Sequence, residues 1–165
     1  MSNPHVSRPR FPEGYLHNPT RWLAWAEVEA RLQAALHYWL VTVSSQGRPH
    51  AVPLWGVWVG GCFYFDGSPQ TRHARNLHDN PQVIVHLESG AQVVIVEGEG
   101  MSVPRPEPPL AAALAAAYGN KYATLGYTPA PTQWDEGGLY RVVPRKVLAW
   151  NDFTQDPTRF IFPSG

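Results

Sequence analysis

Between Tyr38 and Val103 apolar and polar positions alternate in short runs separated by turn residues, which predicts antiparallel strands. Tyr38–Ser44 (YWLVTVS) is β-branched and aromatic, and Ser45-Gln46-Gly47-Arg48 supplies a turn. His50–Val59 (HAVPLWGVWV) is a second apolar run, Gly60-Gly61 a hairpin turn and Cys62–Asp66 a third strand. Pro53 and Gly56 argue against a regular central ladder in the second strand. They predict a bulge or an edge, where backbone is free to meet a ligand. Gln82–Leu87 and Gln92–Val103 form a further pair across Glu88-Ser89-Gly90-Ala91, and Leu139–Trp150 is a last strand broken by Pro144.

Helical spacing appears in three places. Trp22, Trp25, Val28, Leu32 and Leu36 recur along Arg21–Leu36, Thr71–Asp79 is a short helix stopped by Asn80-Pro81, and Glu107–Tyr118 is alanine-rich with Pro108 and Pro109 in its first turn. Residues 1–19, with Pro4, Pro9, Pro12 and Pro19, read as an irregular N-terminal arm, 20–150 as the folded domain and 151–165 as a C-terminal tail. Gly126–Gly138, holding Pro129, Pro131 and Trp134, reads as a loop. The expectation is an α+β, mainly β domain built on a small closed or partly split barrel, which also removes exposed strand edges.

Composition narrows the function classes. The 165 residues suit one domain, and 13 basic against 13 acidic residues give no net charge, which argues against bulk binding to nucleic acid or anionic membrane. Cys62 stands alone, so no internal disulfide forms and a reducing cytoplasm is expected. No apolar stretch has the length of a membrane span, and Met1-Ser2-Asn3-Pro4-His5 does not begin a signal sequence. Charged residues are only 16% while seven Trp, seven Tyr and six Phe are present. That balance fits an apolar surface covered by a partner subunit or a flat ligand, or simply an aromatic core.

Thr71-Arg72-His73-Ala74-Arg75-Asn76-Leu77 carries the chemistry. A hydroxyl and two arginines open a helix whose first N–H groups lack partners and whose dipole is positive there, which makes a phosphate site. Thr71 caps, and Arg72 and Arg75 add charge-assisted hydrogen bonds. The alternative is a capped helix with an exposed basic side. Other chemistries find less support. His73 and His78 are not at metal-ligand spacing, His50 and His86 lie on separate strands, and no carboxylate–histidine pair has metalloenzyme spacing. There is no Gly-x-Ser-x-Gly elbow, Gly-x-Gly-x-x-Gly or Walker sequence, and Cys62 has no evident base beside it. Glu97 and Glu99 read as a solvated strand face.

The order of pieces from Trp39 to Gly100 resembles the pyridoxamine 5'-phosphate oxidase-like superfamily, the flavin and deazaflavin split barrels. The matching text is Trp39-Leu40-Val41-Thr42-Val43, Gly47-Arg48-Pro49-His50 with Val52-Pro53-Leu54-Trp55, and Tyr64-Phe65 before Thr71–Leu77. Asn80-Pro81-Gln82-Val83 and Val93–Gly98 follow, with a weaker echo in Tyr140–Trp150 and Asp156–Phe160. The resemblance implies a six-stranded antiparallel split β-barrel with peripheral helices, a homodimer with two cofactor sites at its interface. It implies that Thr71, Arg72 and His73 hold the cofactor phosphate, with Arg75 able to substitute. It further implies that the ring lies along Val52, Pro53, Leu54 and Trp55, that Phe65 and Asp66 approach the ribityl and phosphate region, and that Gln92 contacts the cofactor.

The activity implied is that of a flavin-dependent oxidoreductase passing hydride to or from a small substrate. FMN is the expected cofactor, with the deazaflavin coenzyme factor 420 as the alternative and a non-turning-over flavin, deazaflavin or haem carrier as a rival. No catalytic residue or metal is assigned; Tyr118, Tyr122 and Trp134 are candidates to line a substrate mouth. Two departures stand out. His73 replaces the family's usual lysine and is only partly charged at neutral pH. The C-terminal Arg-x-His signature of true pyridoxamine-phosphate oxidases is missing from Trp150–Phe160.

Overall fold

The computed structural model describes residues 4–16 and 18–163; residues 1–3 of the arm, residue 17 and residues 164–165 of the tail lie outside it. The strands are β1 (His5–Ser7), β2 (Tyr38–Val43), β3 (Pro49–Leu54), β4 (Val57–Val59), β5 (Cys62–Asp66), β6 (Gln82–His86), β7 (Val93–Val103), β8 (Leu139–Trp150) and β9 (Thr158–Ile161). Three helices accompany them, α1 (Trp25–Ala34), α2 (Arg72–Asp79) and α3 (Pro108–Tyr122). All strand pairs are antiparallel, in the order β1-β9-β8-β7-β6-β2-β3, with β5 pairing both β4 and β8. The sheet curls but does not close, as in a split barrel.

Among the described residues nine strands stand where six were expected. The run His50–Val59 breaks after Leu54 because Gly56 sits where a Cβ would lie 2.4 Å from the Phe63 ring and 2.7 Å from Tyr64 O. The two halves therefore become β3, an edge strand paired to β2 alone, and β4, which pairs β5. Gly60 and Gly61, both at positive φ, make the two-residue turn between β4 and β5. The other additions come from the arm and the tail: His5–Ser7 pairs with β9, and β9 pairs with the second half of β8. Pro144 does not end the last strand. It sits opposite Gly98 at a bulge whose extra residue is Arg145, and β8 runs on to Trp150.

Two apolar clusters result. Alternate residues of β2 (Tyr38, Leu40) and of β6 to β8 (Val83, Val85, Val94, Val96, Val142, Val147) fill the barrel with Phe63 and Phe65. α1 closes one end with Val28 and Leu32; Trp25 packs edge-on against Phe160 at 5.3 Å and Phe162 at 5.0 Å. Trp22 falls outside the shorter helix, 52% exposed, with the Arg8 guanidinium 3.7 Å above its ring. The second cluster lies between β4/β5 and α3, where Leu114, Tyr118 and Tyr122 pack with Val57, Tyr64 and Trp134. Tyr118, Tyr122 and Trp134 are thus core residues here, which corrects the expectation that they line a substrate mouth. Glu97 and Glu99 are engaged across the ladder by Lys146 (2.5 Å) and Arg145 (2.8 Å).

Candidate functional site

α2 starts where β5 ends, and its first turn is built as the residue types require. Thr71 is in extended conformation and its hydroxyl accepts the Ala74 N–H at 3.3 Å while donating to Ser68 O at 3.0 Å. Ala74, Asn76 and Leu77 form the buried face, and Asn76 Nδ2 donates to Thr42 Oγ1 at 2.9 Å, fastening the helix to β2. Arg72 and Arg75 are both exposed. His73 turns the other way. It is half-buried, its ring edge-on to Phe65 at 5.8 Å and parallel to His50 of β3 at 6.4 Å. Burial, and then the neighbouring His50, push the His73 imidazole below its ordinary pKa.

His50 therefore joins the helix start to the edge strand, and sequence order offered no sign of it. From His50 the strand runs on through Ala51, Val52, Pro53 and Leu54. Val52 and Leu54 are half-buried against the barrel core, whereas Ala51 and Pro53 are exposed. Among the described residues the outer edge of β3 has no strand partner, so its backbone polar groups are available to a ligand or a second chain. Trp55 leaves the strand line and stacks on Tyr122 with centroids 4.8 Å apart at 10°.

The structure thus brings Thr71, Arg72 and His73 to the start of β3 at His50, and separates others from them. Phe65 is fully buried, touching the site only through its ring against His73. Asp66 points to the opposite side of β5, where its carboxylate accepts from the Tyr127 hydroxyl and from Trp134 Nε1 (3.2 Å). Gln92 is exposed in the β6–β7 turn, at the end of the sheet near Trp39 and His86 rather than at α2. Arg75 lines a separate groove of about 740 Å3 beside Leu77, Pro81, Met101 and Tyr140. Among the described residues no three His, Cys, Asp or Glu side chains gather to hold a metal ion. No helix among them is long and apolar enough to cross a membrane.

At the α2 start Arg72 is exposed and no described side chain pairs with it. Charge is limited there, because the Thr71 hydroxyl is occupied as a cap and His73 is held toward its neutral form.

Comparisons with known proteins bear on the family and the fold. A family profile described as pyridoxamine 5'-phosphate oxidase matches residues 24–152. A heme storage protein, HutZ of Vibrio cholerae, superposes with a TM-score of 0.58 at 23% identity over 76% of this chain and 93% of its own. An F420 reductase gives 0.55 at 23% identity, over 83% of this chain and 98% of its own. An FAD-binding protein of Mesorhizobium loti gives 0.60 at 19% identity, over 87% and 97%. At these identities the likeness is one of fold. A search of curated protein sequences finds no match.

Proposed function

From the premise that this chain belongs to the pyridoxamine 5'-phosphate oxidase family, we propose that it is a flavin-dependent oxidoreductase binding FMN. The observation that carries this reading is the junction of the apolar edge strand β3, whose outer edge has no strand partner among the described residues, with an arginine-bearing helix start through the His50–His73 contact. The phosphate would sit on the α2 N–H groups and Arg72, the ring along Ala51–Leu54. When bound, the cofactor supplies hydride transfer at its N5 atom; the protein binds, orients and shields it. The substrate is a small molecule other than a B6 vitamer, since the Arg-x-His signature is lacking.

The reading includes a homodimer with the site at its interface. Its support is the outward face of the barrel, where the strand registers set half-exposed apolar residues side by side. Trp39 lies opposite both Pro53 and His86, His86 opposite Ile95, and Ile95 opposite Leu148; Val41 and Ile84 form the next row. So broad an apolar face on one sheet is of the kind a second subunit covers.

A deazaflavin is the second reading, and the same charge count favours it. A phosphate monoester carries up to two charges, whereas the phosphodiester of factor 420 carries one. A start of helix with its hydroxyl occupied and its histidine held below its ordinary pKa suits the lesser charge. Titration of the purified protein with FMN and with factor 420, followed by ligand fluorescence, tests both readings. Binding of either with turnover of a reduced nicotinamide or of reduced deazaflavin supports an enzyme. Binding without turnover supports a carrier, and binding of neither overturns the proposal.

A further inference from the structure

α1 and α3 border a cavity of about 470 Å3 above β4. Its one charged lining group is Lys121 of α3, beside the amides of Gln33 and Asn120 and the apolar side chains of Leu36, Val57 and Trp58. Lysine is scarce in this chain: Lys121 and Lys146 are the only two, the other basic residues being arginine. Lys146 is paired to Glu97, but among the described residues no carboxylate lies within ion-pair reach of Lys121.

Lys121 Nζ donates to Tyr38 Oη at 2.8 Å and to Gly56 O at 3.2 Å, and these occupy two of its three N–H bonds. Both acceptors also serve other partners. The Tyr38 hydroxyl donates to Leu32 O, and Gly56 O also lies 2.9 Å from the Tyr122 hydroxyl. The acid nearest the cavity along α1, Glu29, accepts from Trp58 Nε1 at 2.9 Å. Burial draws the ammonium down to about 8, so the fold bears a cost for a cation that it does not neutralise. The rings of Tyr38 and Tyr122 also face the ammonium, 5.0 and 5.7 Å from Nζ, but an ammonium with no carboxylate partner, one free donor, two flanking amides and an apolar wall matches a carboxylate on an apolar body.

We propose that this cavity is a second binding site, separate from the cofactor edge, for a small apolar monocarboxylate held by the Lys121 ammonium. A single cation and two neutral amides balance one negative charge, not the two of a phosphate monoester. The site does not depend on the flavin reading, since it shares no residue with β3 or α2.

The test uses the full chain labelled with lysine carrying 13C at Cε alone, which yields two signals, and benzoate as the probe. Benzamide and inorganic phosphate serve as comparisons. Benzoate is expected to shift the Lys121 Cε signal saturably, to raise its titration midpoint above about 8, and to leave Lys146 unmoved. By calorimetry, Lys121→Met should weaken benzoate binding at least about tenfold, the loss expected for one charged hydrogen bond, while Lys146→Met binds as the parent does. The proposal is overturned if the Lys121 signal stays still, if benzamide binds as well as benzoate, or if phosphate binds and benzoate does not. Should Lys121→Met fail to fold, the labelled parent protein decides the question alone.

Discussion

The imidazoles of His50 and His73 lie parallel, 6.4 Å between centroids and 6° between planes, although one belongs to the edge strand and the other to the first turn of α2. Burial and the second ring both disfavour charge on His73. Its folded pKa is thus below its unfolded one, so the unfolded chain takes up the proton first. Stability from this group is present above the ordinary histidine value of about 6.5 and is lost as pH falls through it toward the lower folded value. Thermal unfolding midpoints should decline more steeply below about pH 6.5 in the parent than in His73→Gln. Equal slopes would show that the pair does not govern the acid limb. Anion binding should oppose this trend, tightening as pH falls, because a bound phosphate favours the protonated ring.

Arg72 is exposed and makes no described contact that holds the fold together, so its worth lies in what it binds. Arg72→Ala should leave the unfolding midpoint unchanged and weaken FMN binding by about 1.5–3 kcal/mol, the range for a charged hydrogen bond. Thr71→Ala behaves differently. It removes the cap on Ala74 N and should cost about 1 kcal/mol of stability in denaturant titration. Unchanged FMN affinity in Arg72→Ala would place the phosphate elsewhere.

Gly56 separates β3 from β4 because there is no room for a side chain. A Cβ there would strike the Phe63 ring and Tyr64 O, and Tyr122 and Lys121 both bond to the Gly56 peptide. Gly56→Ala should destabilise the protein by about 1–3 kcal/mol, as overpacking does. Gly119→Ala, within α3 and with nothing near its would-be Cβ, should instead stabilise by about 0.4–1 kcal/mol. Urea titrations of the two variants should move in opposite directions.

Ile95 lies in the middle of the outward apolar row between His86 and Leu148. Ile95→Asp places a charge on that face without touching the barrel interior. Sedimentation should show a monomer where the parent is a dimer, and FMN affinity should fall with it if the site is completed by the partner. A parent protein that sediments as a monomer would remove the interface from the proposal.

Much of the fold was legible because its signals are local. Alternation along Tyr38–Val43 and Val93–Val103, the Gly60-Gly61 turn, and the Thr71 cap with its Asn80-Pro81 stop each depend on neighbours in sequence. The anticipated edge at Pro53 and Gly56 is the end of β3. Boundaries were less legible. α1 is shorter than its apolar spacing predicts, and His5–Ser7 and Thr158–Ile161 become strands through partners far away in sequence, the first against the second and the second also against β8.

The candidate site divides along the same line. Residue type and order alone determined that a capped, arginine-bearing helix follows an apolar strand, and that no metal, nucleotide-loop or hydrolase pattern competes with it. Tertiary packing alone decided that His73 faces His50 while Arg75 faces a different groove, that Asp66 turns away beneath Tyr127 and Trp134, and that Lys121 is left without a counter-charge. The reason is physical. Backbone hydrogen bonding and steric preference act over a few residues, whereas the charge state and direction of a side chain depend on desolvation and contacts contributed by strands and helices distant in the chain.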